Sequence, residues 1–225
     1  MKIYPSVEEI KEKYQSYKTV PVSTEITSQV SALTVLKKLK NVSSHCYMLE
    51  SNDDANNTGH YTFLGYDPKA EVSCTDYNVR VIDSFGVKNY TGDPRKYINQ
   101  ILDEHKAPKI ENLPTFTGGL VGYFGYDYVK YSEPSLKLDA HDDGNFKDVD
   151  LMLFDKVIAF DNRENKIILI VNVQTDKLEE NYNIALKELE IMKNIIINGE
   201  EAQIEKPKLK TEFKPLFDGE RYAEM

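Results

Sequence analysis

The chain has little of what would let it do chemistry alone. It holds two cysteines, Cys46 and Cys74, and four histidines, His45, His60, His105 and His141. With so few thiols and no signal peptide, a disulfide-stapled secreted protein is excluded, and the cysteines read as small core residues of a reducing, cytoplasmic protein. The histidines share no metal-ligand spacing, and no C-x-x-C, H-E-x-x-H or G-x-S-x-G occurs. No apolar run approaches the roughly eighteen residues of a membrane span. Lys and Arg number 28 against 37 Asp and Glu, giving a net charge of −9. Without clustered cations, nucleic acid and anionic membranes are poor partners. There is no internal repeat and no low-complexity tract. What remains is an ordinary acidic protein whose 40% hydrophobic content suffices for a sizeable core.

Against this background one stretch stands out, PTFTGGLVGYFGYDYVKYSEP over 114–134. Gly118, Gly119, Gly122 and Gly125 are four of the chain's eleven glycines, and Phe116, Tyr123, Phe124, Tyr126, Tyr128 and Tyr131 surround them. The order GG-x-x-G-x-x-G is neither a dinucleotide fingerprint nor a loop ending in Gly-Lys-Ser/Thr, so a phosphate cradle is disfavoured. Glycines among large rings instead suggest a buried β element packed closely on its neighbours, turning at Gly125 into a short helical stretch over Tyr126–Tyr131.

The rest alternates recognisable signals. Ser6 and Glu9 form a capping box for a helix to about Tyr17. Thr19–Glu25 alternates as a strand, and a helix is expected over Gln29–Leu39, followed by a short strand at His45–Leu49. Tyr61–Gly65, Ala70–Cys74 and Asn78–Ile82 read as a meander of antiparallel strands. Asp93-Pro94 opens a helix with Tyr97, Ile98, Ile101 and Leu102 on its buried stripe. Leu151–Phe160 and Lys166–Val173 read as two strands of a hairpin across 161–165. The second is apolar on both faces at Ile167–Val171 and should be central. Asp176–Ile196 is the clearest helix, stopped by Asn198-Gly199.

Candidate chemical groups are few. His141-Asp142-Asp143, near Asp139, lacks the ligand order of a calcium loop and reads as a solvated acidic loop. Asp127 and Glu133 read as partners for a nearby cation or backbone N–H. Glu50-Ser51 lies at a strand end beside the polar segment 52–59. Such a pair is ordinarily a turn, although a carboxylate and a hydroxyl can also hold one small ligand, the Glu taking an ammonium group.

F-T-G-G-L-V-G-Y-F-G-Y-D-Y-V-K resembles the G-G-x-V-G-Y-x-x-Y-D segment of anthranilate synthase component I. Upstream, Tyr47-Met48-Leu49-Glu50-Ser51 resembles that family's L-L-E-S element, and Gly59 to Gly65, followed by Asp67-Pro68, its G-R-Y-S-F-I-G element, with His60 where the family often has Arg. The resemblance implies an α+β fold of mainly antiparallel sheets with flanking helices, the N-terminal half of the two-sheet family fold. It implies a domain over 1–198, a linker over 199–216 and the start of a chorismate-binding domain over 217–225. It also implies an L-tryptophan feedback site to which Leu49, Glu50, Ser51 and Tyr61 belong, no catalytic residues in this part, and a C-terminal half that supplies the chorismate pocket and Mg²⁺ carboxylates. A glutamine amidotransferase subunit, component II, is the implied partner. Component I of aminodeoxychorismate synthase shares the glycine-rich element, and a stand-alone amino-acid-binding module is a further alternative. If a second half normally covers the doubly apolar strand, the chain alone should expose apolar surface and self-associate.

Overall fold

The computed structural model describes residues 2–50, 60–133, 135–136, 144–203 and 208–225. The chain begins with β1 (Ile3–Tyr4) and α1 (Val7–Glu9), which continues as a π-helical turn over Ile10–Tyr14. Ser6 caps it as expected, its hydroxyl accepting the Glu9 N–H at 3.2 Å. Then come β2 (Thr19–Ile26), α2 (Ala32–Leu39), β3 (Cys46–Glu50), β4 (Tyr61–Tyr66), β5 (Ala70–Thr75), β6 (Asn78–Asp83) and β7 (Gly86–Thr91). They are followed by α3 (Pro94–Glu104), β8 (Gly119–Phe124), a 3-10 turn over Tyr126–Tyr131, β9 (Val149–Phe154), β10 (Lys156–Asp161), β11 (Lys166–Gln174), α4 (Leu178–Asn198) and α5 (Gly219–Glu224). No helix among the described residues is long and apolar enough to cross a membrane.

The strands form two antiparallel sheets, in the orders β1-β2-β11-β10-β4-β3 and β7-β6-β5-β9-β8. The α+β expectation therefore holds, with two corrections to the strands. The run expected as one strand from Leu151 to Phe160 is two. Up to Phe154 it pairs with β5 and β8, and from Lys156 it pairs with β4 and β11. At the break, the Asp155 carbonyl accepts the backbone N–H of Asn172 at 2.8 Å and its side-chain amide at 3.1 Å, so ladder bonds lost there are replaced. β4 and β5 hand over between the sheets in the same way, with Lys69 donating its N–H to the Leu153 carbonyl at 2.7 Å.

β11 is central, between β2 and β10, as its composition requires. Ile167, Leu169 and Val171 pack on the same side as Ile10, Val35, Leu39, Leu189, Met192 and Ile196 from the helices. Ile168 and Ile170 join Val157, Ala159, Phe63, Leu113 and Phe116 on the other. The exposed apolar strand expected at Ile167–Val171 is thus absent, because α4 and the segment carrying Leu113 and Phe116 cover it within the chain.

The second sheet is covered on one face. Val72, Cys74, Val79, Val81, Val149 and Leu151 pack with Ile98 of α3 and with Tyr128 and Tyr131 of the 3-10 turn. The other face shows Asn89, Arg80, Ser73, Asp150 and Tyr123 in register across five strands. A second correction falls here. The glycine-rich strand β8 is an edge, and Gly122, Tyr123 and Phe124 are exposed rather than buried. Its glycine at 122 serves close approach, since a methyl group there would collide with the Asp150 carbonyl oxygen. β7, exposed throughout, was not expected from the sequence because a solvated edge leaves no alternating pattern.

Candidate functional site

The two elements singled out upstream are neighbouring antiparallel strands. β3 is the outer strand of the six-stranded sheet and β4 lies beside it, with Tyr47 opposite Gly65, Leu49 opposite Phe63 and Glu50 opposite Thr62. The Tyr47 ring occupies the space that a side chain at Gly65 would need. It meets Phe154 edge-on at 4.7 Å and Phe116 at 6.4 Å between centroids. Phe116 also meets Phe63 at 5.5 Å, and Tyr61 lies 5.7 Å from Phe63. Burial pushes the Tyr47 phenol well up from its ordinary value, and its hydroxyl has no hydrogen-bond partner among the described residues.

Strand alternation decides which candidate residues meet. Leu49, 47% exposed, shares a face with Phe63 and lies diagonal to Tyr61, at the open end of this aromatic row. Glu50 is exposed and belongs to the opposite face, that of Thr62 and Leu64. Leu49 and Tyr61 are therefore brought together, while Glu50 can join them only around the sheet edge. Ser51 lies outside the described residues, as do Asp139, His141, Asp142 and Asp143.

Two residues that sequence reasoning did not pair complete the region. The His60 ring stacks on Tyr61, with centroids 3.9 Å apart and planes 20° apart. Its Nε2 is 3.0 Å from Oδ1 of Asp161, which sits directly opposite Tyr61 in the β4–β10 ladder. Asp161 is buried at 4% exposure and also accepts the N–H groups of Arg163 at 3.0 Å and Glu164 at 2.9 Å. Burial pushes its carboxyl up, but the Glu164 and Arg163 N–H groups and His60 outweigh that and hold it below the usual carboxylate range. Tyr61 is raised by burial and then by the Asp161 charge. Asp161 was visible only as the start of a turn, since its partner lies 101 positions away in sequence.

In the second sheet the polar groups of the glycine-rich segment are occupied internally. The Tyr131 hydroxyl donates to Asp148 at 2.7 Å, accepts the Tyr77 N–H at 3.1 Å and lies 3.1 Å from the Cys74 sulfur. Lys130 pairs with Asp148 at 3.0 Å and with Asp76. The segment's cation is thus taken by carboxylates from elsewhere, not by Asp127 or Glu133. Burial raises the Asp148 carboxyl, but Tyr131, Lys130 and the Asp76 N–H together lower it by more, leaving it below its ordinary value. Burial pushes the Cys74 thiol up, which makes it a poor nucleophile. Among the described residues no three His, Cys, Asp or Glu are grouped to hold a metal ion.

The sequence profile described as chorismate binding enzyme matches residues 44–225, and the chain belongs to that family. Among its relatives is anthranilate synthase component 1 of Acinetobacter calcoaceticus, 32% identical over 219 residues, covering 94% of this chain and 44% of the relative. The protein of the same name from Pseudomonas aeruginosa is 34% identical over 170 residues, covering 73% of this chain and 34% of the relative. A crystal structure of anthranilate synthase component I from Streptococcus pneumoniae superposes with a TM-score of 0.45 at 23% identity, over 77% of this chain and 38% of that one. The chain thus spans less than half the length of these relatives.

Proposed function

We propose that this chain is the N-terminal regulatory and structural part of an anthranilate synthase component I, a cytoplasmic enzyme of tryptophan biosynthesis. Leu49, Glu50, Ser51 and Tyr61 are its share of a feedback site for L-tryptophan. The observation that carries this reading is the β3–β4 pairing. Leu49 and Phe63 are directly opposite in it, with Tyr61 one step along the same face, which supports a shared wall from the two elements. The relatives named above support it over most of the chain. Leu49, Phe63 and Tyr61 offer an apolar and aromatic wall for an indole, and Glu50, reaching around the sheet edge from the opposite face, offers a carboxylate for the ammonium group. In this reading a C-terminal half holds Mg²⁺ and converts chorismate to anthranilate and pyruvate, using ammonia released from glutamine by component II.

The chain contains no tryptophan. Indole fluorescence excited at the red edge, where tyrosine is silent, therefore comes from ligand alone, and its anisotropy reports binding directly. With only part of the pocket present, loss of a pair of good contacts costs about 2–4 kcal/mol, roughly two to three decades in affinity. Weak, stereoselective binding that Leu49→Ala and Tyr61→Ala weaken further is the expected result, with no anthranilate formed from chorismate by this chain alone. Equal binding of D- and L-tryptophan, or none, sinks the effector reading. Tight binding makes a stand-alone amino-acid-binding module the better one. In an enzyme that carries both halves, Ser51→Phe should abolish tryptophan inhibition and leave activity, because a bulky ring fills the effector pocket.

A further inference from the structure

We propose that His60 and Asp161 form a positioning clamp that sets the plane of the Tyr61 ring for the effector, a role that rests on the tryptophan-site reading above. The clamp is built where β4 and β10 pair, with His60 just ahead of β4. Asp161 ends β10, and the turn that follows fixes its carboxylate through the N–H groups of Arg163 and Glu164. That anchored oxygen holds His60 Nε2 at 3.0 Å, and the Asn162 N–H donates to the His60 carbonyl at 2.9 Å, so both the ring and the backbone of His60 are tied to the turn. The imidazole lies flat on Tyr61, whose ring has Phe63 on its strand neighbour's side.

Phe63 and the Asp161 carboxylate also touch Tyr61, but without the imidazole face the ring plane is held less closely and a ligand would have more of that ordering to do on binding. The other charged groups facing Tyr61 are Glu164 and Lys166. Lys166 is itself held by Glu25 at 2.9 Å and Glu164 at 2.6 Å, so it is not available to replace His60. With its proton on Nε2, the His60 ring donates to the Asp161 carboxylate. Its two necessary properties are a planar face for Tyr61 and an N–H for Asp161. Arginine has both, glutamine only the donor, alanine neither.

The test separates the clamp from the effector site. With four histidines in the chain, the imidazole C–H resonances can be assigned by single substitution, and stacking should place those of His60 upfield. Tyr61→Leu should return them to the range of exposed histidine, and Asp161→Asn should move them part of the way. Tryptophan anisotropy titrations of the full chain are then run on wild type, His60→Arg, His60→Gln and His60→Ala. Arg should bind like wild type, and Ala roughly three- to tenfold more weakly, the cost of ordering one side chain, with Gln between them. Affinity that is equal in His60→Ala and wild type overturns the positioning role alone. Failure of every variant and of wild type to bind overturns the effector reading, and the positioning role falls with it even if the shifted His60 signals show the clamp to be present. Loss of affinity in His60→Arg as large as in His60→Ala also counts against it, since a planar donor would then not be what matters.

Discussion

The two sheets solve the same problem differently. In the six-stranded sheet, β11 is covered by α4 on one face and by Leu113 and Phe116 on the other. The five-stranded sheet has α3 and the aromatic 3-10 turn on one face, and the other carries a mixed polar and apolar row. One sheet is held by dry packing; the other depends on a buried hydrogen-bond network around Tyr131 and Asp148. Burial of apolar area is non-directional and tolerant, whereas a buried network fails when one member is removed. The glycine-rich segment, the most conspicuous in the sequence, therefore serves to attach an edge strand and a turn to the more vulnerable sheet.

Several substitutions bear on this comparison. The largest effect should come from Leu169→Ala, fully buried in the covered sheet, at about 2–5 kcal/mol of stability measured by urea unfolding. Met152→Ala, half-buried on the uncovered face of the other sheet, should cost under about 1 kcal/mol. Comparable losses at the two positions would mean that the second face is covered after all.

Next in size is Tyr131→Phe, which removes a hydroxyl shared by Asp148, the Tyr77 N–H and Cys74. It should cost about 1–3 kcal/mol, with faster amide exchange at Tyr77 while amides of β11 stay protected. Uniform deprotection of both sheets would show that they unfold as one unit and that the division drawn above has no energetic meaning.

Acid should act through both regions. Asp148 and Asp161 have folded-state carboxyls below their ordinary value, so each contributes stability that is present above the unfolded-state pKa and lost as pH falls through the folded one. The melting temperature should therefore drop on the acid side of the ordinary carboxylate range. Asp148→Asn and Asp161→Asn, each less stable near neutrality, should show a flatter decline. An unchanged acid slope in both variants would place the sensitive carboxylates elsewhere. The smallest effect belongs to Lys11→Ala, which breaks an exposed pair with Glu179 and should leave the urea midpoint unchanged within error.

Much of the candidate site was legible. The elements at Tyr47–Ser51 and Gly59–Gly65 stood out in order, and the structure pairs β3 with β4 and sets Leu49 and Tyr61 on one face. The separation of Glu50 from them follows from the register of Glu50 with Thr62, which no motif states. The His60–Asp161 contact escaped notice because neither residue has a local pattern that names its partner.

What the sequence alone determined is whatever depends on near neighbours along the chain. The helical stripe from Leu178 to Ile196, the caps at Ser6 and Asp93, the doubly apolar β11 and the stop at Gly199 each follow from side-chain spacing and backbone preference within a few residues. Tertiary structure decided the break at Asp155, the edge position of the glycine-rich strand, the solvated β7 and the clamp on Tyr61. Each depends on which distant strand arrives alongside, and hydrogen bonds between strands carry no trace in the local order of residues until the sheet brings their partners together.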